Sequence, residues 1–84
     1  MSDVLAPTAT AVLAHIVRSI VDQPDSVAVS ATEAKGRVKL EVTVGAGDLG
    51  RVIGRRGRTA QSIRSVVRAA ATRDDVEVDV DFVD

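Results

Sequence analysis

Two glycines three residues apart, Gly54 and Gly57, bracket the arginines Arg55 and Arg56 within Gly50-Arg51-Val52-Ile53-Gly54-Arg55-Arg56-Gly57-Arg58-Thr59. Glycine has no Cβ, so at both ends of this loop the backbone can turn tightly and come close to a ligand. A segment of helical periodicity follows. The first turn of a helix offers unpaired N–H groups at the positive end of a dipole, which together favour an anion. Arginine adds planar charged forks that suit phosphate. The chemistry implied is capture of a sugar–phosphate backbone. A plainer reading of the tetrapeptide is a helix C-cap and a tight turn with both arginines solvated. The surroundings have to separate the two.

Composition narrows the choice. Eighty-four residues make a single small domain, 1–84, with an ordered core expected over about 8–83. The chain has no cysteine, which excludes a disulfide framework, a thiol nucleophile and a Cys-based zinc site; no cofactor is expected. No run approaches the roughly 18 apolar residues of a membrane-spanning helix. The start of the chain lacks the basic-then-apolar pattern of a secretory signal. A cytoplasmic protein without membrane insertion is expected.

The formal net charge of −1 hides a segregation. Between Asp48 and Asp74 there is no acid, while Arg51, Arg55, Arg56, Arg58, Arg64, Arg68 and Arg73 all fall there. The closing segment reverses this with Asp74, Asp75, Glu77, Asp79, Asp81 and Asp84. Local charge, and not the total, sets the field at a binding face.

The elements that must position the loop follow from periodicity. Met1 to Ala6 is expected to be a loose leader. From Thr8 to Asp22 the residues Val12, Leu13, Ile16, Val17, Ile20 and Val21 recur at helical spacing, with Thr8 or Thr10 as the cap and Pro24 as the stop. His15 is the sole histidine and, without a partner, is read as structural or surface. Val27–Ala31 reads as a strand, Ala34–Arg37 as a hairpin turn, and Val38, Leu40, Val42 and Val44 as the inward face of a half-buried strand. Gly45-Ala46-Gly47 breaks that strand. Asp48 then serves as N-cap for a short helix, Leu49–Ile53. After the glycine loop a longer helix runs from about Arg58 to Thr72 or Arg73. Its core face is Ala60, Ile63, Val67, Ala70 and Ala71, while Gln61, Arg64 and Arg68 are expected to be wet. Val76, Val78, Val80 and Phe82 alternate with acids in a last strand. The order α-β-β-α-α-β implies an α+β domain: a three-stranded mixed sheet with helices on one face and its second and third strands parallel.

This order, with Val52-Ile53-Gly54-Arg55-Arg56-Gly57 between the paired helices, resembles a type II KH domain from about Val12 to Val83. More narrowly, Gln23-Pro24-Asp25 and Gly50–Thr59 resemble the small bacterial KhpA family, single KH domains with little else attached. The resemblance implies single-stranded RNA as partner, an RNA chaperone or regulator, and a link to cell-envelope growth. It also implies a protein partner, commonly a larger Jag-type KH protein. KH loops clamp the backbone of about four nucleotides. On that basis Gly54 and Gly57 would allow close approach, and Arg55 and Arg56 would meet phosphates. Val52 and Ile53 would line a groove for bases beside the strand Val38–Val44. Arg51, Arg58, Thr59 and Arg64 complete the RNA-binding candidates. With Phe82 the sole aromatic and assigned to the core, no aromatic stacking platform is expected.

A flanking stripe of the last helix, Thr59, Ser62, Val66 and Ala69, suits a second helix, so a homodimer or heterodimer interface is expected at Ser62, Val66 and Ala69. The alternative is that Val66 widens the core face. Two rival functions also remain. One is a protein interaction module with little RNA affinity of its own; the other is a helix-turn-helix DNA reader, opposed by the Gly-x-x-Gly spacing and the three strands. An enzyme is not expected. The carboxylates Asp75, Glu77, Asp79 and Asp81 alternate along one strand and read as a solvated, mutually repelling face or a guarded edge.

Overall fold

The computed structural model describes residues 5–83. Helix α1 spans Pro7–Ile20, and strands β1 and β2 span Ala28–Ala34 and Arg37–Thr43. Helices α2 and α3 span Leu49–Ile53 and Arg58–Ala71, and strand β3 spans Glu77–Val83. The α+β order is the one the sequence predicts. The sheet runs β1-β2-β3, with β2 antiparallel to β1 and parallel to β3. Lys35 and Gly36 both adopt positive φ, 55° and 78°, as the tight two-residue hairpin between β1 and β2 requires.

Alternation in β2 and β3 decides which face is covered. Val38, Leu40, Val42, Val78 and Val80 point inward and are buried against Leu13 and Val17 of α1, Val52 of α2, and Ile63 and Val67 of α3. Ala70, placed on the core face by periodicity, is only half-buried. Among the described residues no helix covers the opposite face of the sheet. There Arg37 grips Asp79 with two bonds of 2.9 Å and also pairs with Glu77, while Lys39 lies 3.4 Å from Asp81. The hydrogen bonds to Asp79 and its charge hold the Arg37 guanidinium well above its ordinary pKa. The bond from Arg37 in turn holds Asp79 below the usual carboxylate value. The acidic strand is therefore solvated as expected, but paired with the cations of β2 and not mutually repelling.

Several boundaries move, each for a tertiary reason. The expected leader is packed at its end: Ala6 is buried and Leu5 lies against the core, while residues 1–4 lie outside the described residues. Neither Thr8 nor Thr10 caps α1. Pro7 opens it, and the first N–H groups are taken by a distant residue, with Thr8 and Ala9 donating to the Asp74 carboxylate at 3.1 and 2.9 Å. Desolvation pushes Asp74 up, yet these bonds outweigh it and leave the carboxyl below its ordinary value. At the other end α1 stops at Ile20, two residues early. There the Asp48 carboxylate accepts the N–H groups of Asp22 and Gln23 at 3.1 and 3.0 Å and draws the chain off the helix axis. Asp48 occupies the N-cap position of α2 as expected, but its side chain, 2% exposed, makes no cap bond there and ties α1 to α2 instead. Strand β1 runs three residues past Ala31, because Thr32, Glu33 and Ala34 pair with Lys39, Val38 and Arg37. Its side chains are small and mostly exposed, so its alternation is faint in the sequence.

Candidate nucleic-acid interface

Helix α2 is too short to be stable alone. Val52, fully buried, holds it down, and the Gly54 N–H closes it on the Gly50 carbonyl oxygen at 2.9 Å. Gly54 then takes φ 74° and ψ 177°, a region open essentially only to glycine. A second constraint acts at the same position. A Cβ on Gly54 would stand 2.2 Å from Thr59 Oγ1. The chain next turns through Arg55, Arg56 and Gly57, with Arg56 at φ 55° and Gly57 at φ 73°. Within this turn the Gly57 N–H donates to the Gly54 carbonyl oxygen at 3.2 Å and the Arg58 N–H to the Arg55 carbonyl oxygen, so the turn is closed on itself and its charge comes from the arginine side chains. A Cβ on Gly57 would meet no atom within 4 Å; there only the positive φ demands glycine.

The loop leads straight into α3, which has no side-chain cap at its N-terminus. Arg55, Arg56 and Arg58 are exposed around it, and among the described residues none of them has an acidic partner. Arg51 differs. Its guanidinium meets Asp22 at 2.9 Å and Asp48 at 3.4 Å, so it braces α2 against the exit of α1. Gln23 joins this brace by donating to the Ala46 carbonyl oxygen at 2.7 Å and packing where Gly45 lacks a side chain. The Gln23-Pro24-Asp25 stretch thus supports the approach to the loop.

Four expectations about the groove need correction. Val52 is fully buried and cannot face a ligand; Ile53 keeps accessible surface. The strand beside the loop helices is not β2. That strand is central, and its inward side chains Val38, Leu40 and Val42 are sealed. Both α2 and α3 instead pack along β3, at the sheet edge. Arg64 is not simply wet. It is half-buried at that edge, donating from Nε to the Val80 carbonyl oxygen at 3.1 Å and from Nη1 to Gln61 Oε1 at 3.0 Å. Its guanidinium lies 5.2 Å from the centroid of the Phe82 ring. Phe82 is half-buried, a rim residue and not a core one. Gln61 and Phe82 thus hold Arg64 without belonging to the loop, and the one sequence signal for this contact is the single aromatic at the end of an edge strand.

On the outer side of α3, Ser62, Val66 and Ala69 are exposed, and Val66 is 50% exposed. Val66 therefore does not widen the core face. Thr59 is half-buried over Gly54 and leaves that stripe. A cleft of about 640 Å³, lined by Lys35, Arg37, Thr72, Asp75 and Glu77 among others, lies between the hairpin tip and the end of α3. It contains no loop residue and sets cations against acids, so it does not compete with the loop as an anion site.

Comparison with known proteins adds to this geometry. The profile of the KhpA/KhpB KH domain matches residues 10–82. A protein of Leifsonia xyli named RNA-binding protein KhpA is 50% identical over 76 residues, 90% of this chain and 95% of the relative. A protein of the same name from Streptomyces coelicolor is 52% identical over 73 residues, 86% of this chain and 87% of the relative. A third, from Halalkalibacterium halodurans, is 44% identical over 70 residues, 83% and 92% of the two chains. These relatives carry the name of a binding protein and not of an enzyme. With a glycine-bounded basic loop between α2 and α3, a mixed three-stranded sheet beneath, and a profile match over nearly its whole length, the chain belongs to the KhpA/KhpB family of KH domains.

Proposed function

We propose that this chain binds single-stranded RNA in the cytoplasm, with the sugar–phosphate backbone seated on the Gly54–Gly57 loop. One observation carries the reading: at the start of α3, which has no side-chain cap, Arg55, Arg56 and Arg58 stand exposed and without an acidic partner among the described residues, beside backbone that demands glycine. Glycine at 54 and 57 lets phosphates approach the main chain. Arg55 and Arg56 supply charged forks, Arg58 adds to the field, and Ile53 offers apolar surface to a base. Thr59 keeps Gly54 in place, and Arg51 acts through the brace to Asp22 and Asp48. The relatives named RNA-binding protein KhpA support the same partner. Backbone-dominated binding of this kind is weak and salt-sensitive.

A single loop gains affinity when two are joined, because the second contact becomes intramolecular. Ser62, Val66 and Ala69 are the proposed contact for a second KH domain, either another copy or a larger Jag-type protein, in a complex that regulates RNA and serves cell-envelope growth. The exposed Val66 supports this face. Val66→Asp should lower the apparent mass in light scattering of the chain, or of its mixture with the larger protein. An unchanged mass in both would remove the interface.

RNA binding is tested by fluorescence anisotropy of short single strands against wild type and Arg55→Asp/Arg56→Asp, both checked by circular dichroism. The folded double variant should lose binding, and the wild type should show a salt slope of about −0.7 per phosphate contacted. Equal binding by the two proteins, or a preference for duplex DNA, would overturn the reading.

A further inference from the structure

The only aromatic residue, Phe82, lies on edge strand β3 under the guanidinium of Arg64. The cation–π contact with the ring, 5.2 Å from its centroid, and the bond from Nε to Val80 together restrict where the guanidinium can sit. A guanidinium has five N–H donors and no acceptor. One is taken by the Val80 carbonyl oxygen and one by Gln61 Oε1, so three remain on the two terminal nitrogens. Arg64 stands seven residues past Gly57, about 10 Å along α3 at 1.5 Å per residue. It lies on the side of the helix that packs along β3, within reach of the roughly four nucleotides a loop of this kind clamps.

We propose that Arg64, held at the sheet edge by Phe82 and the Val80 carbonyl, reads one base of the bound strand and favours guanine over adenine. This rests on the RNA-binding reading above. Guanine presents two adjacent acceptors, O6 and N7, to a fork that can only donate. Adenine places its N6 donor beside N7, so one arm of the fork meets another donor. In single-stranded RNA these edges are open, and a base can also stack on a guanidinium plane. A phosphate contact would use the same donors but would carry no base preference. Phe82 is the positioning residue: it limits where the guanidinium can sit and does not itself touch the base.

The test uses uridine octamers carrying one guanosine, one adenosine or one 7-deazaguanosine, titrated into the wild-type protein. The guanosine oligomer should bind roughly tenfold more tightly than the other two, because 7-deazaguanine lacks the N7 acceptor. Arg64→Lys keeps the charge but not the planar fork and should bring the guanosine-to-adenosine ratio close to one. Phe82→Leu should lower that ratio while leaving all-uridine binding near wild type. Equal affinity of the wild type for the guanosine and adenosine oligomers, or an Arg64→Lys protein that keeps the ratio, overturns the proposal and leaves RNA binding standing. Failure of the wild type to bind any oligomer brings down the RNA reading itself, and this proposal with it.

Discussion

On the outer face of the sheet, Arg37 and Lys39 stand among Glu41, Glu77, Asp79 and Asp81; at the loop end, Arg55, Arg56 and Arg58 pair with no acid among the described residues. Both regions are exposed and both are built from ordinary surface cations. On the sheet, strand register decides the outcome. Arg37 lies opposite Glu77 and Lys39 opposite Asp79, so each cation has carboxylates within reach and the local field is small. At the loop end the acid-free stretch from Leu49 to Arg73 leaves the charge uncompensated, except where Asp22 and Asp48 take Arg51. A net charge near zero is thus compatible with one strongly positive end. Cations on the sheet hold strands together, whereas those on the loop stay available.

The comparison is broken most sharply at the loop backbone. Gly54→Ala combines a glycine-only conformation with a steric clash on Thr59, and should cost on the order of 3 kcal/mol of stability. Gly57→Ala meets no neighbouring atom and should cost only about 1 kcal/mol. Urea unfolding of the two variants measures the difference; equal costs would mean that the loop relaxes freely around Gly54. Next comes the support beneath the loop. Asp48→Ala leaves the Asp22 and Gln23 N–H groups without their partner and should cost about 1–3 kcal/mol. It should also weaken RNA binding in the folded fraction, because α2 loses its tie to α1.

The sheet face should respond least. Arg37→Ala/Lys39→Ala should leave RNA affinity within about twofold of wild type, since both cations are already neutralised by acids beside them. A large loss of affinity would extend the interface onto the sheet. Acid titration gives the smallest effect. Asp79 is depressed mainly by its bond from Arg37. Its contribution is present above the ordinary carboxylate pKa and is lost as pH falls through the depressed folded value. Arg37→Ala returns Asp79 toward its ordinary value, so the dependence of urea stability on pH below about 4 should flatten. An unchanged slope would show that the pair contributes nothing.

The elements of the fold were legible because their signals are local. Alternation of Val38, Leu40 and Val42, and of Val78 and Val80, reports a half-buried strand wherever it occurs. The 3.6-residue spacing of Ile63, Val67 and Ala71 reports the buried side of α3 in the same way. Gly54 and Gly57 were legible for a different reason: glycine pairs around basic residues signal unusual backbone before any contact is known.

What the sequence by itself determined was the order of elements, their inward faces and the basic loop between two helices, since each depends on spacing along one segment. The tertiary structure alone decided which partners the charges found. Asp74 caps a helix 65 residues away, and Asp48 holds a turn 25 residues away. Arg64 lies on Phe82 at an edge that exists only once β3 has joined β2. These pairings join segments far apart in the chain, so no local pattern encodes them. A carboxylate or a guanidinium reveals its charge in the sequence, but what it touches is settled only when the helices close over the sheet.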